Sequence, residues 1–246
     1  MRKALSFLIF SAFLLFPLPA GAEESVPPPR QDWPHKSLLG TYDREAMRRG
    51  YQVYREVCSL CHTMKFVSYR NLADIGFPPE DVKEIAAQYA VTDGPDDDGK
   101  MFERPALPSN AFMPPFKNEK IARAANNGAL PPDMSLLVRS REGGEDYIYG
   151  ILTGFVPPPS GMQAQPGVSY NRYFAGGQIA MPPPLPDGSG QSARDVVRFL
   201  AWVSDPHMEQ RKRTGVKVIL FLLVFAGVTF KIKQRVWSEA GKENSH

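Results

Sequence analysis

Apolar residues gather at the two ends of the chain and recur in short helical stripes between them. Near the start, Arg2 and Lys3 precede an apolar run from Ala4 to Leu18. Ala20-Gly21-Ala22 then places small residues at the spacing of a cleavage site, ahead of the polar Glu23-Glu24-Ser25. Residues 1–22 therefore read as a secretory signal peptide rather than a membrane span, because the apolar core is short and polar residues follow at once. The segment lacks the Arg-rich, Ser-rich amphipathic character of an organelle import sequence, which implies a bacterial chain exported to the periplasm. Toward the other end, Val216 to Ile232 holds an uncharged run from Val218 to Phe230, and Lys217 and Lys231 sit where long stems can snorkel to two interfaces. With its flanks, residues 214–233, this segment has about the 20 residues that a bilayer crossing needs. Arg211-Lys212-Arg213 before it and Lys231, Lys233 and Arg235 after it argue against a buried core helix. Positive flanks on both sides leave orientation undecided. The export signal decides it, with residues 23–210 in the periplasm, a single pass through the bacterial inner membrane, and a cytoplasmic tail at 234–246 that begins near an interfacial Trp237.

Between the two apolar ends the helical signals are few. Asp43 can cap a helix whose stripe runs through Met47, Tyr51, Tyr54 and Cys58. Pro79 to Tyr89, with Glu80 and Asp81 in its first turn, is a second helix, and Asn118 to Ala125 and Glu145 to Leu152 are shorter ones. Ser192 with Asp195 three residues on reads as a capping box before Val196–Val203, whose apolar residues on most turns predict a core helix. Proline clusters at 105–115, 131–132, 157–159 and 182–186 separate these segments, and strand signals are weak. The fold class is mainly α: one domain with long Pro/Gly-rich loop insertions, followed by one C-terminal transmembrane helix.

Composition changes this picture in two ways. With 43% hydrophobic residues, 22% charged residues and two cysteines in 246 positions, the chain is not a disordered acidic tail, a collagen-like repeat or a disulfide-stapled mini-protein. The formal charge of +3 also hides a division: residues 23–205 carry a net −4, and residues 206–246 a net +5. A mildly acidic exported domain suits a basic protein partner, and nothing calls for a nucleic acid.

The chemistry resides in Cys58-Ser59-Leu60-Cys61-His62. Cys-x-x-Cys-His is the spacing of c-type haem attachment, in which two thiols form thioethers with the haem and the adjacent His62 ligates iron. A thioredoxin-like dithiol would need a βαβ context that is missing. A zinc site would need further ligands, yet there is no third cysteine, and His35, His207 and His246 have no paired spacing. A disulfide across two residues would be strained and leave His62 unexplained. For the opposite axial position, Met47 and Met64 lie too near the attachment motif. Met101, Met113, Met134, Met162 and Met181 remain open. Met181, within Gly176–Leu185, is favoured because glycines permit close backbone approach and the prolines stiffen the loop, with Met113 as runner-up. Asp93–Gly99 resembles a calcium loop but puts Gly94 and Pro105 where carboxylates are required, so it reads as a solvated acidic loop able to steer a basic partner.

Several segments in this order resemble the cytochrome c1 family of the cytochrome bc1 complex: Arg49–Tyr54 before the Cys-x-x-Cys-His motif, Ala124–Asp133, Gly143–Tyr147, Ile179–Pro182 and Arg211–Arg213. The resemblance covers nearly the whole chain after the leader and implies a cytochrome c-like haem domain carrying one covalently attached haem c. It implies Met181 as the second axial ligand beside His62, and Asn126, Ala129, Pro131, Pro132, Arg141, Tyr147 and Phe174 around the haem. Arg141 would pair with a propionate. It further implies a subunit that does no bond chemistry of its own. That subunit would take electrons from the Rieske iron–sulfur protein and pass them to a soluble basic cytochrome c, beside cytochrome b, in a dimeric ubiquinol-oxidising complex of a respiratory or photosynthetic chain. The alternative is a stand-alone membrane-anchored cytochrome c feeding a terminal oxidase. The loop 157–169 carries no residue with an assigned role.

Overall fold

The computed structural model describes residues 26–162 and 165–243. The expected leader, residues 1–22, and residues 244–246 of the expected tail lie outside the described residues. Helix α1 (Arg44–Glu56) begins where Asp43 was expected to cap it, the Asp43 carboxylate accepting the Ala46 N–H at 3.0 Å. Met47, Tyr51 and Tyr54 form its buried face, and the last member of that stripe, Cys58, falls just beyond it in a 3-10 turn, Cys58–Leu60. Helix α2 (Pro79–Ala87) has Pro79 at its first position and Glu80 and Asp81 in its first turn. Helix α3 (Glu119–Ala125) is capped by Asn118, and α4 (Leu137–Ser140) and α5 (Gly144–Thr153) follow. Helix α6 (Gly190–Ser204) carries the expected core segment, and α7 (Met208–Glu243) closes the order.

The weak strand signals correspond to two small antiparallel pairs. β1 (Ala90–Asp93) pairs with β2 (Phe102–Pro105), and the acidic stretch expected to be a solvated loop connects them. β3 (Ser169–Tyr170) pairs with β4 (Gln178–Ile179).

The core is organised where α1 crosses α6. A Cβ at Gly50 would stand 2.1 Å from the Asp195 carbonyl oxygen and 2.9 Å from the Phe199 Cβ, so the two backbones approach as only glycine permits. Around the crossing, Tyr51 meets Phe199 edge-on at 5.7 Å and Tyr54 stacks on Phe112 at 5.9 Å. Each aromatic buried this way contributes on the order of 2–3 kcal/mol by area alone.

The expected capping box at Ser192 and Asp195 is not formed. Helix α6 starts earlier, with Ser189 at its N-cap, so both residues lie inside the helix. Asp195 is buried and serves the crossing instead: its carboxylate accepts from Arg49 Nε at 2.7 Å and from Gln191 Nε2 at 2.9 Å. The partner that redirects it lies far away in sequence, on α1.

Helix α7 is long and apolar enough to cross a membrane, and none of its most apolar window is buried against the rest of the chain. Its first turns are bolted to the domain. Glu209 accepts from Arg44 Nη1 and Nη2 at 2.6 and 2.8 Å and from the Tyr42 N–H at 2.7 Å. Arg211 donates twice to Asp205, which also accepts from Arg139. Lys212 Nζ donates to the carbonyls of His35 and Ser37, both at 2.6 Å, and of Gly40 at 3.2 Å. The helix thus begins inside the domain rather than after a linker.

Candidate haem site

Helix α1 delivers the attachment motif. After Val57 the chain tightens into the Cys58–Leu60 turn, in which the Cys61 and His62 N–H groups both donate to the Cys58 carbonyl, at 3.2 and 2.9 Å. Ser59 Oγ donates back to the Arg55 carbonyl at 2.7 Å, satisfying an acceptor that the end of α1 leaves open. Both cysteines are free, Cys58 buried and Cys61 exposed. Burial, reinforced by the neighbouring Cys61, pushes the Cys58 thiol up to about 12. A reactive redox dithiol needs a lowered thiol pKa, so this environment argues against that use.

His62 is half-buried, and its Nδ1 lies 2.9 Å from the Pro132 carbonyl oxygen. A carbonyl can only accept, so Nδ1 carries the proton and Nε2 keeps its lone pair, the state an iron ligand requires. Burial lowers the pKa of His62, which keeps the ring neutral, while the Pro132 bond works the other way.

Pro132 is itself held from both sides. Helix α3 ends at Asn126, whose side chain donates to the Ala122 carbonyl at 2.7 Å. Asn127 and Gly128 then turn the chain through the left-handed region, at φ of 52° and 88°, and send Ala129–Pro132 back toward His62. Beyond Pro132, Asp133 accepts from Thr63 Oγ1 at 2.6 Å, from the Lys65 N–H at 3.0 Å and from the Ser135 N–H at 2.9 Å. The Met134 N–H donates to the Thr63 carbonyl at 2.8 Å, and the Phe66 N–H to Ser135 Oγ at 3.1 Å. Burial works against the Asp133 charge, yet the hydrogen bonds from Ser135, Thr63 and Lys65 outweigh it and hold the carboxyl below its ordinary range. Asp133 is not among the expected site residues. Its signal was there: an Asp followed two residues on by Ser, after two prolines, is a turn-forming arrangement.

The expected second ligand lies on a different support. Met181 is half-buried and follows β4, whose partner strand β3 leads into Asn171. Asn171 is buried, donates its Nδ2 to the Ile151 carbonyl on α5 at 2.7 Å, and receives the Tyr173 N–H at Oδ1. Its own N–H donates to the Gly177 carbonyl at 2.7 Å. At Gly177, φ is +70°, and a Cβ would stand 2.4 Å from the Tyr170 ring. Asn171, like Asp133, is not among the expected site residues.

The remaining expected contacts are distributed among these segments. Asn126, Ala129, Pro131, Tyr147 and Phe174 are half-buried, whereas Pro132 and Arg141 are exposed. The Arg141 charge is close enough to Tyr147 to oppose the rise that burial gives the Tyr147 hydroxyl. Gly143–Tyr147 also has a structural role. Its Glu145 is buried and meets His35 Nε2 and Lys36 Nζ, both at 2.9 Å, and Asp146 accepts from the Trp33 indole and the Gln31 N–H. Burial opposes the Glu145 charge, but His35 and Lys36 prevail and bring its carboxyl down to about 2.

Among the described residues the donor set fits a haem c: two unpaired thiols at the attachment spacing, and an imidazole whose Nδ1 is committed to the Pro132 carbonyl while Nε2 makes no hydrogen bond. Among the described residues no cluster of three or more His, Cys, Asp or Glu side chains could hold a bare metal ion. An open cavity of about 650 Å³ is lined by Leu152, Phe155, Tyr170, Leu185 and neighbours, but by none of Cys58, Cys61, His62 or Met181.

Comparison with known proteins agrees with this geometry. The model of the Cytochrome C1 family matches residues 33–240. A Schizosaccharomyces pombe protein named cytochrome c1, heme protein, mitochondrial, is 41% identical over 220 residues, covering 85% of this chain and 72% of the relative. Cytochrome c1 of Rhodospirillum rubrum is 41% identical over 237 residues, covering 85% and 87%. A Candida albicans protein named cytochrome b-c1 complex catalytic subunit, mitochondrial, is 38% identical over 245 residues, covering 95% and 85%. A family model spanning most of the chain, joined to relatives aligned over most of their own length, places this protein in the cytochrome c1 family.

Proposed function

We propose that the chain is the membrane-anchored, haem-bearing electron carrier of a cytochrome bc1 complex. In this reading it takes electrons from a Rieske iron–sulfur protein, delivers them to a soluble basic cytochrome c, and packs beside cytochrome b in a dimeric assembly. The observation that carries it is His62, its Nδ1 committed to Pro132 and its Nε2 free, one residue from Cys61 in a chain with no other cysteines than this pair. Haem c, when bound, supplies a one-electron couple. Cys58 and Cys61 would hold it as thioethers, while Asp133 and Pro132 fix the His62 ring. Met181, from the loop after β4, would be the second protein ligand to the iron, and a thioether in that role would favour the reduced state. With His62 and Met181 both bound to iron, the group would offer electron transfer and no open position for a substrate. Asn126, Ala129, Pro131, Tyr147 and Phe174 exclude water, and Arg141 offers a guanidinium to a propionate. Residues 1–22 direct export, α7 anchors the domain at residues 214–233 in the bacterial inner membrane, and 234–246 remain cytoplasmic. The net −4 of residues 23–205 attracts the basic acceptor, so delivery slows as salt rises.

A reduced-minus-oxidised spectrum with a redox titration of the membrane fraction tests the reading. In Met181→Leu the haem stays covalently attached, while the potential falls by on the order of 0.1 V or more and electron delivery is lost. An unchanged potential would remove Met181 from the iron. A detergent extract of this chain lacking cytochrome b and a Rieske protein would favour a stand-alone carrier.

A further inference from the structure

The strongest unexplained feature lies at the foot of the domain. Ser37–Gly40 is a tight turn, closed by the Gly40 N–H donating to the Ser37 carbonyl at 3.0 Å. Its two corner residues are Leu38 and Leu39, 84% and 73% exposed. Turn corners are ordinarily Pro, Gly, Asn, Asp or Ser, because the chain reverses into water there. Here both corners are leucines, each more exposed than any large apolar side chain of the Val218–Phe230 stretch, where the highest exposure is 68%. A local rule broken by two adjacent residues points to a site of action.

The turn is also held in a definite place. Lys212 Nζ directs its three donors to the carbonyls of His35, Ser37 and Gly40, which flank the two leucines. Lys212 lies on α7 only about 3 Å along the axis before Thr214, where the expected membrane segment begins. Of the exposed basic residues beside the turn, Lys36 and Arg211 are held by Glu145 and Asp205, which leaves Arg213 as the exposed cation suited to a phospholipid phosphate.

We propose that the Ser37–Gly40 turn is a second contact with the lipid surface, with Leu38 and Leu39 entering the boundary between headgroups and acyl chains beside α7. The proposal rests on α7 being the membrane anchor. Lys212 acts as a positioning residue: it donates hydrogen bonds to carbonyls of a turn that must sit near a medium poor in donors. The domain then stands on two points, a helix through the bilayer and a leucine pair resting in its surface.

Site-directed spin labelling tests this. With haem attached, Cys58 and Cys61 are consumed, and the chain has no other cysteine. Leu38→Cys, Leu39→Cys, Asp97→Cys on the acidic loop and Leu222→Cys on α7 are each labelled in the haem-loaded full chain in phospholipid vesicles. Power saturation then reads accessibility to oxygen, which concentrates in the bilayer, against a water-soluble nickel chelate. The expected result is an oxygen-to-nickel ratio at Leu38 and Leu39 several-fold above that at Asp97 and approaching that at Leu222. A ratio at Leu38 and Leu39 equal to that at Asp97, with Leu222 in lipid, would overturn the proposal while leaving the anchor intact. Low accessibility to both reagents would overturn it in favour of a protein covering the turn. A nickel-accessible Leu222 would overturn the anchor itself.

Discussion

The two supports of the candidate haem site are built differently. On the His62 side, a covalent attachment point, a capped turn and a carboxylate with three hydrogen-bond donors converge on a few residues. The His62 ring is oriented through Pro132 by the protein alone. On the Met181 side, a two-residue strand pair and one buried asparagine hold a loop rich in glycine and proline. The first support is complete in the polypeptide. The second supplies a flexible thioether whose place is fixed by what it meets. An imidazole must present one nitrogen along one direction, whereas a methionine has three rotatable bonds and a polarizable sulfur that can adapt. Rigidity is placed where the ligand cannot adjust.

Each support can be weakened on its own. The largest effect is expected on the His62 support. Asp133→Ala removes an acceptor shared by a hydroxyl and two backbone N–H groups and leaves those donors without a partner. It should lower stability by about 2–3 kcal/mol, measured by denaturant unfolding of the haem-loaded domain. It should also shift the ferric spectrum by loosening the His62 ring, and Asp133→Asn should recover part of both. Equal loss in Asn and Ala would show that charge, not hydrogen-bond geometry, does the holding. A smaller, local effect is expected at Gly177. Alanine there adopts a left-handed φ at a cost of about 1–2 kcal/mol and must displace the Tyr170 ring. Exogenous ligands such as imidazole should then compete for the Met181 position more readily, with covalent haem retained. If stability and ligand competition both stayed at wild-type values, the β3–β4 pair would not be what holds Met181.

The smallest effect is in pH. The Asp133 carboxyl titrates below its unfolded value, so its contribution is fully present above about pH 4 and is lost as pH falls through and below that point. The Met181 support depends on Asn171 and backbone bonds, which do not titrate. Acid should therefore perturb the His62 side first, and Asp133→Asn should flatten that dependence. Simultaneous loss of both ligands in the mutant and the parent would erase the distinction.

The sequence made the helices legible because their signals are local. Asp43 and Asn118 cap as their position suggests, and the buried faces of α1 and α6 follow from apolar spacing alone. The Cys-x-x-Cys-His motif is likewise contained within five consecutive residues. What could not be read depends on partners distant in the chain. Asp195 looked like the end of a capping box because its real partner, Arg49, is on another helix. Asp133 and Asn171 act on segments whose proximity exists only after folding, and two-residue strands are too short to carry an alternating pattern. Gly50 belonged to a matched segment, but its reason, contact with the Asp195 carbonyl, appears only at the helix crossing.

The joint between the domain and α7 has a mechanical consequence. With Glu209, Arg211 and Lys212 all fastened to the domain within the helix's first turns, the helix and the domain form a single lever. A membrane helix adjusts its tilt to the thickness of the bilayer around it. A lever without a hinge converts that tilt into rotation of everything fixed to it. A tilt imposed on α7 would therefore be passed to the residues that Glu209, Arg211 and Lys212 hold, instead of being taken up by a linker.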